Sequence, residues 1–390
     1  MARKLSTLFF SMAQRMARDQ QRALRRATKT AVAASGRTLT RTVRNTTDPL
    51  IRKAFKTSIG LAKSSAPGAG RRVAPEAPIP GAGSWLAHIH KGSTAIGQWH
   101  GRLAYHLYIP SSAPAKGPQG MPLVVMLHGC QQTAADFARG TRMNRLADKE
   151  GFVIAWPQQS ANAQSQRCWR WFRPQHGHGG SEANAIASLA RALVVKLRLD
   201  ADRVYIAGLS AGAGMAALVA LRHPDVFAAV GLHSGAVMGD AYDAAAGMAA
   251  MRRGSRRDVL GQARSLLATR VPFAGMPAII VHGGRDHVVD VRNARQLVEQ
   301  FRDLNGIDAT QAPLISALAA GTDRAWQRED LRAGRRTMVR LAYVPSLGHA
   351  WSGGDPAVRF HDAAGPNAAL LFWRFFEANT RAAAVDLELV

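Results

Sequence analysis

Apolar residues in this chain gather in short unbroken runs, separated by stretches with helical periodicity. Leu123-Val124-Val125-Met126-Leu127, Phe152-Val153-Ile154-Ala155-Trp156, Val204-Tyr205-Ile206-Ala207 and Ala278-Ile279-Ile280-Val281 have the composition of strands covered on both faces of a parallel sheet, where neither face alternates with polar residues. Further strands are predicted over Leu103 to Ile109, around Ala228, Val230 and Leu232, and over Met338 to Val344. Helices are predicted over Met143 to Lys149, Glu182 to Leu197, Ala213 to Leu221, Val291 to Phe301 and Asn367 to Ala378. Strands alternating with helices at this spacing predict an α/β fold, a mostly parallel central sheet with helices on both faces. Ile307 to Arg336 fits the pattern poorly, and its polar, Arg-rich half predicts a surface hairpin or loop near the strand that precedes His349.

The beginning of the chain reads differently. Leu5, Leu8, Phe9, Met12 and Met16 share one face of a possible helix whose other face carries Arg15, Arg18 and Arg22, a basic amphipathic pattern. Seventeen Lys and Arg residues but only Asp19 and Asp48 precede position 73, which places roughly +15 of the formal +25 charge there. We therefore divide the 390 residues into a basic arm over 1–63, partly helical or disordered, a Pro/Gly/Ala-rich linker and lead-in over 64–98, and a catalytic domain over 99–390. The arm suits an anionic surface, a polymer granule or nucleic acid, or it is a soluble extension without such a partner. It lacks the apolar core of an ordinary secretion signal, and no later segment is long and apolar enough for a transmembrane span. The two cysteines, Cys130 and Cys168, are by count alone either reduced core thiols or one disulfide.

The candidate chemistry centres on Gly208-Leu209-Ser210-Ala211-Gly212. A predicted strand, a tight turn and a helix are the context in which glycines allow a strained serine to project above a sheet edge. Such a serine needs a base, and the base needs a carboxylate to fix its tautomer. Asp286 follows the Ile279-Ile280-Val281 strand and His349 follows the strand ending near Val344, both at C-terminal strand ends, where sites of open α/β sheets gather. The order Ser210, Asp286, His349 is that of α/β-hydrolase enzymes. Asp290 is a rival acid but starts a helical segment, where a carboxylate interacts with the helix N-terminus. His282 and His287 read as a strand-end residue and a solvent-facing turn residue. His176 and His178 lack partners at metal-ligand spacing, so no metal and no cofactor is expected. Backbone N–H donors for a developing oxyanion are expected at Ala211 and at Cys130, after the His128-Gly129 turn.

These residues carry a resemblance. Leu127-His128-Gly129-Cys130-Gln131-Gln132, Cys168-Trp169-Arg170-Trp171-Phe172, Gly208 to Gly212, His282-Gly283-Gly284-Arg285-Asp286 and Gly348-His349-Ala350-Trp351-Ser352-Gly353-Gly354 occur in the order seen in polyhydroxybutyrate depolymerases. From about Leu103 to Glu377 the chain resembles that family of serine esterases, which includes feruloyl and acetylxylan esterase relatives. The resemblance implies an α/β-hydrolase fold, Ser210 as nucleophile, Asp286 as acid, His349 as base and the Cys130 amide in the oxyanion hole. It also implies a Cys130–Cys168 disulfide and Trp169 near the acyl or polymer groove.

The expected activity is carboxylic ester hydrolysis through an acyl-enzyme, on short-chain hydroxyalkanoate esters or oligomers. The alternative is a feruloyl or acetylxylan type esterase, and an alternative of another class is a protein that binds a surface or nucleic acid through its arm. Relatives that erode crystalline polymer also carry a secretion signal and a polymer-adhesion module, so attack on crystalline polyester is not expected. The resemblance and the disulfide suggest an extracellular enzyme, whereas the missing signal suggests a cytoplasmic one.

Overall fold

Alternate residues of each central strand enter opposite hydrophobic clusters, and this divides the interior into two layers about one sheet. In β3 (Leu123–Leu127), Leu123, Val125 and Leu127 join one cluster while Val124 and Met126 join the other. The period of two sends neighbours to opposite faces, and because helices cover both faces the strand is apolar throughout. The computed structural model describes residues 79, 81–92, 101–111, 119–172, 178–239, 241–267 and 272–381. The basic arm and most of the linker lie outside these residues, as does His176.

The sheet begins with β1 (Ser84–Lys91) and β2 (Arg102–Ile109), an antiparallel pair. Its first strand thus falls ahead of residue 99, within the stretch read as lead-in. After β3 come helices α1 (Ala134–Thr141) and α2 (Met143–Glu150), then β4 (Val153–Gln158) and α3 (His178–Leu197). Thr133 and Asp136 form a reciprocal capping box at the start of α1, satisfying amides that would otherwise lack partners. The chain continues through β5 (Val204–Leu209), α4 (Ala211–Arg222), β6 (Ala229–His233), α5 (Ala244–Arg253), α6 (Val259–Arg264), β7 (Ala278–Gly283) and α7 (Arg292–Leu304). It closes with β8 (Leu314–Leu318), β9 (Trp326–Ala333), β10 (Arg336–Val344) and α8 (Ala368–Glu377).

The ten strands lie in the order β1-β2-β4-β3-β5-β6-β7-β10-β9-β8. From β4 to β10 every neighbouring pair is parallel. The C-terminal ends of β3, β5, β7 and β10, where the candidate residues follow, therefore point to one edge. The Ile307 to Arg336 stretch supplies β8 and β9, an antiparallel hairpin that extends the sheet beyond β10. Paired hydrogen bonds of 2.7 Å from Arg340 to Asp330 fasten this extension. One cluster fills the side of α3, α4 and α7, and the other the side of α1, α2 and α8, where Phe152 and Trp373 stack with centroids 4.1 Å apart.

Burial also writes a pH dependence into the fold. His128, His223 and His361 are held down to about 4 from the ordinary 6.5, chiefly by removal from water. In the unfolded chain they take up protons near 6.5 and in the folded chain only near 4, so the unfolded state binds more protons in between. Stability is expected to be full above pH 6.5 and to fall toward pH 4, each histidine contributing up to about 1.4 kcal/mol per pH unit. Denaturant titrations at several values across that window check this; a flat stability profile would contradict it.

Candidate active site

The backbone around Ser210 explains both flanking glycines. Ser210 adopts φ 57° and ψ −120°, a conformation that costs energy and survives where surrounding structure holds it. A Cβ on Gly208 would lie 2.3 Å from the Gly212 carbonyl carbon, and one on Gly212 would lie 2.1 Å from the Leu127 oxygen and 2.6 Å from the His128 oxygen. The turn after β5 is thus pressed onto itself and onto the end of β3. The Ser210 amide donates to the His233 carbonyl at 2.9 Å and its carbonyl accepts from Gly214 at 3.1 Å.

Asp286 and His349 meet beyond the ends of β7 and β10. His349 Nδ1 lies 2.8 Å from Asp286 Oδ2, while Asp286 Oδ1 accepts the amides of Val288 at 2.9 Å and Val289 at 2.8 Å. Burial pushes the Asp286 carboxyl up, but the His349 hydrogen bond and charge, with the Val289 amide and His282 behind them, outweigh it and hold the group below its ordinary value. His349 keeps an 11% exposed side chain, whereas Asp286 is buried. A carboxylate on Nδ1 keeps that nitrogen protonated and leaves Nε2 to act as an acceptor.

The rivals have other main partners, although His282 Nε2 also stands 3.8 Å from Asp286 Oδ2. Asp290 Oδ1 accepts the Arg292 amide at 2.9 Å at the start of α7. His282 is buried, with Nε2 2.9 Å from the Val289 carbonyl, and so braces the acid loop. His287 is exposed. Among the described residues, no group of three or more His, Cys, Asp or Glu is placed to hold a metal ion.

The loop after β3 is held from several sides. Gln132 Oε1 accepts the Gly129 amide at 2.8 Å, and Gln132 Nε2 donates to the Arg359 carbonyl at 3.3 Å. His128 Nδ1 lies 2.8 Å from the Gly129 carbonyl, and His128 Nε2 accepts the Gln159 amide at 3.1 Å. Those partners place the ring proton on Nδ1. Cys130 is bonded to Cys168, and the intervening chain is tied back by Gln131 N–H to the Gln166 carbonyl at 2.6 Å. A Cβ on Gly129 would stand 3.6 Å from the Ser210 Cβ, which sets this loop beside the serine. Among the described residues, the Cys130 and Ala211 amides make no backbone hydrogen bond outside the regular elements.

Trp169 lies beneath the loop that follows β3. Its indole is 1% exposed, donates to the His128 carbonyl at 3.1 Å and leans on the His128 ring at 5.5 Å. It thereby underpins the loop that carries the Cys130 amide.

Sequence reasoning missed Gln132 and His233 as supports. His233 accepts the Ser210 amide on its carbonyl and the Ser352 amide on Nε2 at 3.0 Å, linking the serine turn to the histidine loop. Burial, with the neighbouring histidines His282 and His349, keeps it far below the ordinary histidine range and hence neutral. Gln132 stands within a quoted motif, but only the fold reveals that its amide reaches residue 359.

A family model described as esterase PHB depolymerase matches residues 103–323, a span that includes Ser210 and Asp286 and ends before His349. Poly(3-hydroxyalkanoate) depolymerase C of Paucimonas lemoignei is 34% identical over 255 residues, covering 64% of this chain and 58% of that protein. The chain thus spans little more than half the length of that relative. Feruloyl esterase B of Thermothelomyces thermophilus is 28% identical over 244 residues, 59% of this chain and 80% of that protein. Among solved structures, an acetyl xylan esterase from Aspergillus awamori superposes with a TM-score of 0.59 at 18% identity, covering 76% of this chain and 99% of that one. That likeness concerns the fold, which is the α/β-hydrolase fold.

Proposed function

The chain belongs to the esterase PHB depolymerase family, and from that premise we propose that it hydrolyses carboxylic esters through an acyl-enzyme on Ser210. The observation that carries the reading is the 2.8 Å contact between His349 Nδ1 and Asp286 Oδ2, on the sheet edge where Ser210 occupies its strained turn. His349 Nε2 takes the proton of the Ser210 hydroxyl as its oxygen attacks the ester carbonyl, and Asp286 stabilises the resulting imidazolium. The Cys130 and Ala211 amides receive the negative charge of the tetrahedral intermediate. His349 then passes its proton to the leaving alcohol, leaving an acyl-serine. Water, deprotonated by the same imidazole, releases the acid and restores Ser210.

The substrates we propose are short-chain hydroxyalkanoate esters or oligomers, supported by the likeness to the Paucimonas lemoignei depolymerase. The second reading, a feruloyl or acetylxylan type esterase, is supported by the Thermothelomyces thermophilus relative. A panel of hydroxybutyrate oligomers, p-nitrophenyl esters of several chain lengths, methyl ferulate and acetylated xylan separates them. The highest kcat/KM is expected on the hydroxybutyrate oligomers; a preference for ferulate or acetylxylan would move the assignment to the second reading. Attachment through the basic arm to an anionic surface, a polymer granule or nucleic acid is a separable property, and removal of residues 1–63 isolates it from hydrolysis.

A further inference from the structure

Between β6 and β7 the chain carries a basic turn that the ester chemistry does not use. Arg252, Arg253, Arg256 and Arg257 fall within six positions at the end of α5, and all four are exposed. The turn between them is clamped. The Ser255 amide donates to Gln296 Oε1 at 2.8 Å, and the Ser255 carbonyl accepts from Gln296 Nε2 at 2.8 Å. Ser255 Oγ accepts the Arg257 amide at 3.0 Å, and the Gly254 amide closes α5 on the Ala250 carbonyl at 2.7 Å. Gly254 has φ 68°, the left-handed conformation that lets the chain reverse here. The side chains before and after Ser255 are therefore presented from a fixed backbone.

Arg253, Arg256 and Arg257, with Ala249, Ala250 and Gly254, line a cleft of about 160 Å³. The neighbouring Arg264 and Arg292 are paired with Asp303 and Asp290, whereas among the described residues no carboxylate pairs with Arg253 or Arg256. Asp258, the acid in the same segment, is turned to the Leu260 and Gly261 amides, both at 3.1 Å, at the head of α6. Arg257 lies over the Tyr242 ring at 5.8 Å. Positive charge without a carboxylate partner, as at Arg253 and Arg256, concentrates anions, and the planar guanidinium fork matches a carboxylate.

Helix α5, which supplies Ala249, Ala250 and Arg253 of the cleft, touches the segment that follows Asp286 and, at another point, the Trp171-Phe172 segment. The Met251 carbonyl, at the last turn of α5, accepts the Asp290 amide and Asn293 Nδ2, both at 2.8 Å, four residues beyond Asp286. On its other side, α5 brings Gly247 against Trp171 and Phe172, each 3.6 Å from where a Cβ would stand, and Trp171 in turn packs on Gly214, one turn after Ser210.

We propose that the Arg253–Arg256 cleft binds the free carboxylate end of an oligomeric ester whose scissile bond lies at Ser210, so that the enzyme favours acid-ended oligomers over neutral ones. This rests on the ester-hydrolase reading. The test compares the linear 3-hydroxybutyrate trimer as free acid and as methyl ester, with the wild type and with an Arg253→Gln, Arg256→Gln double variant. The double variant is expected to raise KM for the acid about tenfold, the scale of a lost charge-assisted pair, with kcat and the methyl ester unaffected. An equal change for both substrates, or none, overturns the proposal. Calorimetric binding of the acid trimer to the Ser210→Ala protein, with and without the two arginine changes, reads the cleft independently of turnover; equal affinity overturns the proposal there too. Failure of the wild type to cleave either trimer or any other ester overturns the hydrolase reading instead, and the binding comparison still decides the cleft.

Discussion

Ser210→Ala is expected to lower kcat on any ester the wild type cleaves by about four orders of magnitude or more, while leaving the melting temperature nearly unchanged. The hydroxyl is the proposed attacking group, and alanine carries no oxygen in its place. Stability is spared because the cost of φ 57° falls on any residue with a Cβ, serine and alanine alike. The hydrogen bonds at this position run through its main chain, from the Ser210 amide to His233 and from Gly214 to the Ser210 carbonyl. Turnover close to wild type in a folded Ser210→Ala protein would remove Ser210 from the mechanism.

Asp286→Asn is expected to cost about four orders of magnitude in kcat, although it changes one atom. Oδ1 of Asp286 accepts two amides, Val288 and Val289, so an asparagine must keep its carbonyl oxygen there. Its NH2 group is then turned toward His349 Nδ1, where Oδ2 stood at 2.8 Å. An NH2 donor selects the imidazole tautomer with the proton on Nε2, the nitrogen required to accept the serine proton. The ring stays in place and presents the wrong atom. Single-turnover kinetics across a pH series check this, since a donor at 286 also destabilises the imidazolium. A variant with undiminished kcat would exclude Asp286 as the partner of the base.

Where the chain is covered on both faces, its sequence declares its structure. The unbroken runs at Leu123, Val204 and Ala278 became β3, β5 and β7 because burial on two sides removes any need for polar residues. The tight turn at Ser210 was legible for a related reason: its glycines have no substitute where main chain meets main chain. β1 was not legible. Its sequence, SWLAHIHK, follows a Pro- and Gly-rich stretch and remains largely exposed as an edge strand, so neither composition nor periodicity separates it from a linker. α5 and α6 were missed for want of a strong apolar stripe; buried positions in α5 are confined to Gly247 and Ala250. Gln132 and His233 act through polar contacts to residues more than a hundred positions away, and no local pattern encodes a partner at that distance. Trp169 illustrates the converse, since a motif names the residue while only packing tells which way its ring is turned.

The obstacles around Gly212 are the carbonyl oxygens of Leu127 and His128, and this limits what heredity can repair. When a substitution collides with a neighbouring side chain, a second mutation that trims the neighbour can restore room. A peptide carbonyl is common to every amino acid, so no replacement at 127 or 128 makes way for a methyl group at 212. The position is closed to compensatory evolution by a single exchange, and the nucleophile turn and the strand end beneath it can diverge only by moving their main chains together.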